Sequence, residues 1–121
     1  MLLSNVNVHL KQDAAATMIM DNPDRPELGE ELAGSFCRSD PDIARRFART
    51  IFLSDNRGDL GAMAARVLIL QCREDLIAPM AVGDYMHHVI PGSELVLLDA
   101  TGHCPNLSAP AQTIAAIQAF V

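Results

Sequence analysis

Two short stretches carry residue types suited to acid–base chemistry. In "REDLIAP", residues 73–79, Asp75 stands just past Cys72, and in "ATGHCPNLSAP", residues 100–110, His103 is boxed between Gly102 and the Cys104-Pro105 pair. An aspartate that accepts the Nδ1 proton of a histidine fixes the ring's tautomer, stabilises the imidazolium and leaves Nε2 to act as a base. Gly102 permits a backbone turn that other residues resist, and Pro105 stiffens the far side, so this loop is suited to aiming a ring. Glu74 and Asp99 are weaker rivals for the acid: Glu74 faces the other side of the strand exit, and Asp99 is too close to His103 in the chain to reach its ring easily. Cys104 beside His103 is a poor nucleophile pair, because sequence neighbours on an extended turn point apart. Taken singly, Asp75 is an ordinary turn former and His103 an ordinary loop histidine, so the case rests on whether the fold brings them together.

The elements around them supply that placement. "RVLILQC" and "ELVLLD" are continuous apolar runs, the pattern of strands covered on both faces. Between them "PMAVGDYMHHV" reads as a helix with Pro79 at its start, ended by "PGS". That order predicts a βαβ unit, hence two parallel neighbouring strands joined by a right-handed crossover. After the second strand, Ser108 is expected to cap a last helix whose Ile114, Ile117 and Val121 recur at helical spacing. The fold class is α/β. In open α/β sheets, functional groups gather where loops leave the carboxyl ends of strands, and Asp75 and His103 both lie there.

The chain divides near residue 60, with helical patterns in 1–60 and the βαβα alternation in 61–121. "AAATMIM" ends one helix and "DNPDRP" breaks the chain. A second helix is expected from Pro26, with Leu28, Leu32 and Phe36 on one face. A third has Asp40 as N-cap, Pro41 at its first position and Asp42 at the positive helix end. Its stripe is Ile43, Phe47 and Ile51, with Ala44, Ala48 and Phe52 beside it, while Arg45, Arg46 and Arg49 fall on a solvated face. "SDNRGDL" closes the block as a turn. No such helix buries its apolar face alone, so these three must lie on something else.

Composition removes several function classes. With 121 residues, half of them apolar, the chain supports one modest core. A formal charge of −6, with nine scattered Lys and Arg, argues against a nucleic-acid surface, which needs clustered cations. No apolar run approaches the roughly 20 residues that span a bilayer, and the start has no basic leader, so no membrane association and a cytoplasmic location are expected. Cys37, Cys72 and Cys104 are an odd, widely spaced set without metal-ligand spacing, so neither a disulfide nor a metal site is indicated, and nothing calls for a cofactor. His9, His87 and His88 read as surface or packing histidines.

At this point a family resemblance is visible. "VLILQCREDLIAP", "YMHHVIPGSELVLLDATGHCPNLSAP" and, upstream, "NPDRPELGEELAGSFCRSDPDIARRFARTIFLSDNRGDL" resemble the cap and carboxyl-terminal half of the RsbQ-type α/β hydrolases. These are bacterial stress-signalling hydrolases, similar to the plant strigolactone and karrikin receptors. The resemblance runs from Asp21 to the end and implies a carboxyl-terminal part of an α/β-hydrolase fold: 1–60 as helical lid, with the lid helices in 21–55, and 61–121 as the βαβα part of the core. It implies a Ser, Asp, His triad in which Asp75 takes the Asp position and His103 the His position. The chain departs from the family in lacking a G-x-S-x-G-like elbow and an oxyanion-hole loop: Ser4, Ser35, Ser39, Ser54, Ser93 and Ser108 all stand outside that motif. The implied function is an enzyme part acting on a small apolar ester or lactone-like ligand. The alternatives are a ligand-responsive signalling protein with a protein partner at its lid, and an inactive gene fragment.

Overall fold

The structure, a computed structural model, describes residues 14–121. His9 and Ser4 lie outside the described residues. The chain divides after Asp55 into two compact units.

The first unit is helical. Helix α1 occupies residues 14–20 and ends at Asp21, whose φ of 38° is left-handed and whose N–H donates to the Thr17 carbonyl oxygen at 2.8 Å. Helix α2, Pro26–Cys37, starts on its proline, and Arg25 bonds Glu27 across the first turn at 3.0 Å. Ala16, Met20, Leu28 and Ala33 form the buried centre, and Leu32 and Phe36 are half-buried. Helix α3, Pro41–Leu53, is capped by Asp40, whose carboxylate accepts from the amides of Asp42 and Ile43 at 2.9 and 3.0 Å. Its Ile43, Phe47, Ile51 and Phe52 stripe is exposed, Phe52 by 81%.

The second unit begins with a 3₁₀ turn at Arg57–Ala62, followed by strand β1, Leu68–Glu74, helix α4, Met80–Val89, and strand β2, Glu94–Thr101. The two strands pair in parallel, Leu68 opposite Glu94 through Cys72 opposite Leu98, as the crossover requires. Ile69, Cys72, Ile90 and Leu98 form the core. Gly92 closes the turn out of α4 with a φ of 66°, where a side chain would be strained.

One expectation is corrected at the carboxyl end. Ser108 does not cap the last helix. Pro105 starts a short helix of its own, α5, Pro105–Ser108, and the Ser108 hydroxyl donates back to the Cys104 carbonyl oxygen at 3.3 Å. The last helix, α6, Pro110–Phe120, begins on Pro110 with Ala109 at its N-cap. A proline at the first helical position has no N–H to satisfy, and this start has no side-chain cap. Arg66 ties α6 down, donating to the Phe120 carbonyl oxygen at 2.8 Å with its guanidinium 4.4 Å from that residue's ring centroid.

Candidate active site

The parallel pairing of β1 and β2 sets the carboxyl ends of the two strands side by side. The ladder runs in register to Cys72 and Leu98 and then slips: Glu74 pairs with Thr101, so Arg73 alone stands against Asp99 and Ala100. This bulge bends β2 just before the loop that carries His103, in the way bulges re-aim side chains beside sites. Beyond it the Gly102 N–H donates to the Glu74 carbonyl oxygen at 2.7 Å, and Gly102 is buried with a φ of 89°, a value open to glycine and strained for other residues.

The two strand exits meet through Asp75 and His103. The His103 Nδ1 lies 2.8 Å from Asp75 Oδ2. An ionised carboxylate only accepts, so Nδ1 carries a proton, and in the neutral ring Nε2 keeps a free lone pair. The other carboxylate oxygen, Oδ1, accepts from the amides of Ile77 and Ala78, both at 2.9 Å. The Asp75 side chain is only 6% exposed, whereas that of His103 is 44% exposed, so the acid is sheltered while the ring reaches solvent. Burial by itself raises the Asp75 carboxyl. The Ala78 amide, the His103 ring and the Ile77 amide together outweigh it and hold the group below its ordinary value.

Of the rival acids, Glu74 is engaged elsewhere. Glu74 Oε2 accepts from the Thr101 hydroxyl at 3.1 Å, and the Asp99 backbone is bridged in both directions by the Gln112 side-chain amide. Burial, and next the negative charge of Asp75, push the Cys104 thiol up, which lowers its thiolate content beside His103. The Cys72 thiol is raised in the same way, with Cys104 as a third contributor. His87 Nδ1 sits 3.0 Å from the Ser93 hydroxyl, which donates to the Ile90 carbonyl oxygen, so this histidine helps to close the end of α4. Ser35 lies within α2, donating to the Glu31 carbonyl oxygen and accepting from Arg38, and Ser54 caps the end of α3. Among the described residues, no group of three His, Cys, Asp or Glu side chains is arranged to hold a metal, and no helix is long and apolar enough to cross a membrane. Missing from the sequence reading were the amides of Ile77 and Ala78. The spacing of an aspartate two and three residues before them is the local signal of such a turn.

No family model matches the chain. It is 39% identical over 88 residues to a strigolactone esterase of Pisum sativum, an overlap of 72% of this chain and 33% of that one. It is 37% identical over 86 residues to a karrikin insensitive 2 receptor of Petunia hybrida, covering 70% of this chain and 31% of the relative. Among solved structures, a hydrolase from Oleispira antarctica superposes with a TM-score of 0.83 at 36% identity, over 96% of this chain and 44% of that one. Over the part it spans, the chain belongs to the α/β-hydrolases. The parallel β1–α4–β2 unit followed by α6 is thus the carboxyl-terminal part of an α/β-hydrolase fold. This α/β-hydrolase chain spans about a third of the length of the curated relatives it matches.

Proposed function

We propose that this chain supplies the acid and the histidine of a Ser-His-Asp triad that hydrolyses a small, apolar ester or lactone-like substrate. The observation that carries the reading is the 2.8 Å bond from His103 Nδ1 to Asp75 Oδ2, with the acid sheltered and the ring exposed. In that role His103 Nε2 takes the proton of a serine hydroxyl as it attacks the ester carbonyl. Asp75 stabilises the resulting imidazolium, and the ring returns the proton to the departing alcohol. Water then follows the same route to release the acyl group. The serine and the oxyanion hole come from outside this chain, because none of its serines stands in a G-x-S-x-G-like elbow. Residues 1–60 act as the lid and 61–121 as the core in this reading, and the protein works in the cytoplasm without a cofactor.

A direct test joins residues 1–121 to the amino-terminal part of the Oleispira hydrolase and measures hydrolysis of an activated ester. The expected result is turnover that falls by about 10³-fold or more in His103→Ala, while the chain by itself shows no turnover above its own His103→Ala variant. A folded chimera whose turnover is indifferent to His103→Ala would sink the triad assignment. A second reading, a ligand-responsive signalling protein, is favoured by the receptor among the relatives and by the exposed apolar stripe of α3, a face suited to a protein partner.

A further inference from the structure

The most deeply placed polar side chain near the site is Gln71, in the middle of β1 and 5% exposed. Its Nε2 faces two carbonyl oxygens, that of Ala78 at 2.8 Å and that of Cys72 at 3.1 Å. Only the NH₂ end of an amide can satisfy two acceptors, so the orientation is determined and both donor hydrogens are used. On the other side of its Cα, Ala78 turns its N–H to Asp75 Oδ1. The residue next to it, Pro79, is the N-cap of α4, so the loop between strand and helix is held at Ala78 from both sides.

Helix α4 is shaped to leave room for this amide. A Cβ on the buried Gly83 would lie 2.9 Å from Gln71 Oε1, closer than real side chains tolerate, and in tight contact with its Cγ at 3.3 Å. Glycine inside a helix is less favourable than alanine, and here its absent side chain is what lets the helix seat on the glutamine.

We propose that Gln71 is a positioning residue for the Asp75–His103 pair: its buried amide anchors the Ala78 carbonyl and so restrains the residue whose N–H meets the carboxylate, leaving the acid to present its second oxygen to the ring. The catalytic meaning of that role rests on the triad reading above, whereas the geometry does not. An apolar residue of similar length would leave the Ala78 carbonyl without its partner and remove that restraint on the backbone at Ala78. The Asp75 carboxylate would then be held less firmly by the Ala78 amide, one of the groups that keep it below its ordinary value.

The test is nuclear magnetic resonance on the 121-residue chain, comparing wild type with Gln71→Met, which removes both donors, and Gly83→Ala, which keeps the glutamine but displaces its amide. Ser93→Ala serves as a control for lost stability, since Ser93 is also buried and hydrogen-bonded but bonds only at the far end of α4. In both test variants the Ala78 amide is expected to exchange about five- to tenfold faster, the effect of losing roughly one hydrogen bond, and the Asp75 carboxyl is expected to titrate higher than in wild type. The control should lower the melting temperature while leaving both readouts in place. Folded test variants with an unchanged Ala78 amide and Asp75 titration would overturn the proposal. So would failure of both variants to fold, which would assign Gln71 to the stability of the unit. Because neither readout needs turnover, a chimera without His103-dependent hydrolysis would reject the triad reading and leave the positioning role standing.

Discussion

Replacing Asp75 by asparagine separates the charge of this group from its shape. The asparagine oxygen can still accept the amides of Ile77 and Ala78, which both bond one oxygen in the native chain. Its nitrogen then takes the place of Oδ2 and can only donate, so His103 Nδ1 must accept and the ring proton must move to Nε2. The substitution converts three charge-assisted hydrogen bonds into neutral ones. Each such change is worth about 1 kcal/mol, and the share belonging to the ring is reduced because His103 is nearly half exposed. The net loss is therefore about 2 kcal/mol, or roughly 10 °C in melting temperature for a domain of this size. Circular-dichroism melting measures the first quantity, and ¹⁵N shifts of the His103 ring report the tautomer. A variant that melts within about 2 °C of wild type and keeps its proton on Nδ1 would refute the account of Asp75 as the group that sets the ring.

The other expectations follow from single features of the same structure. Asp75 is held below its unfolded value of about 3.9, so its contribution to stability is complete above that pH and is lost as pH falls through the lowered native value; melting below about pH 4 should fall less steeply with acid in Asp75→Asn than in wild type. Gly102→Ala forces a side chain onto a φ of 89° at a buried position and should cost about 1–2 kcal/mol by denaturant titration, with weakening of the His103 to Asp75 bond seen in the ring's ¹⁵N shifts. Asp40→Ala removes the carboxylate that caps α3 and should cost about 1 kcal/mol, read as faster amide exchange at Asp42 and Ile43. Phe52→Ser, at a side chain exposed by 81%, should change stability by less than about 0.5 kcal/mol and lower the binding of an apolar dye.

The parts of the fold that could be read in the sequence are those where one physical constraint acts alone. Two unbroken apolar runs separated by a helical stretch admit a parallel pair joined by a crossover, and β1 and β2 form that pair. From it the meeting of Asp75 and His103 follows by topology, though they lie 28 residues apart. The caps at Asp40 and Pro26 were legible because they depend on neighbours in the chain. The start of the last helix was not: Ser108 has the chemistry of a cap, but Pro105 opens a turn of its own and draws that hydroxyl to Cys104.

The register slip before Gly102 was hidden for a different reason, since an apolar pattern specifies which residues are buried and not how many stand opposite one another at the end of a ladder. Gln71 is hidden inside "VLILQC" by the apolar majority of the run. Yet a glutamine in a strand covered on both faces must find partners for its amide or pay for burial unpaired, and Gly83 in the crossover helix marks where another group comes close. Those two exceptions belong to one contact. A polar residue in an apolar strand and a glycine in the helix that follows it are each unfavourable alone, and together they hold the loop that presents the acid to the histidine.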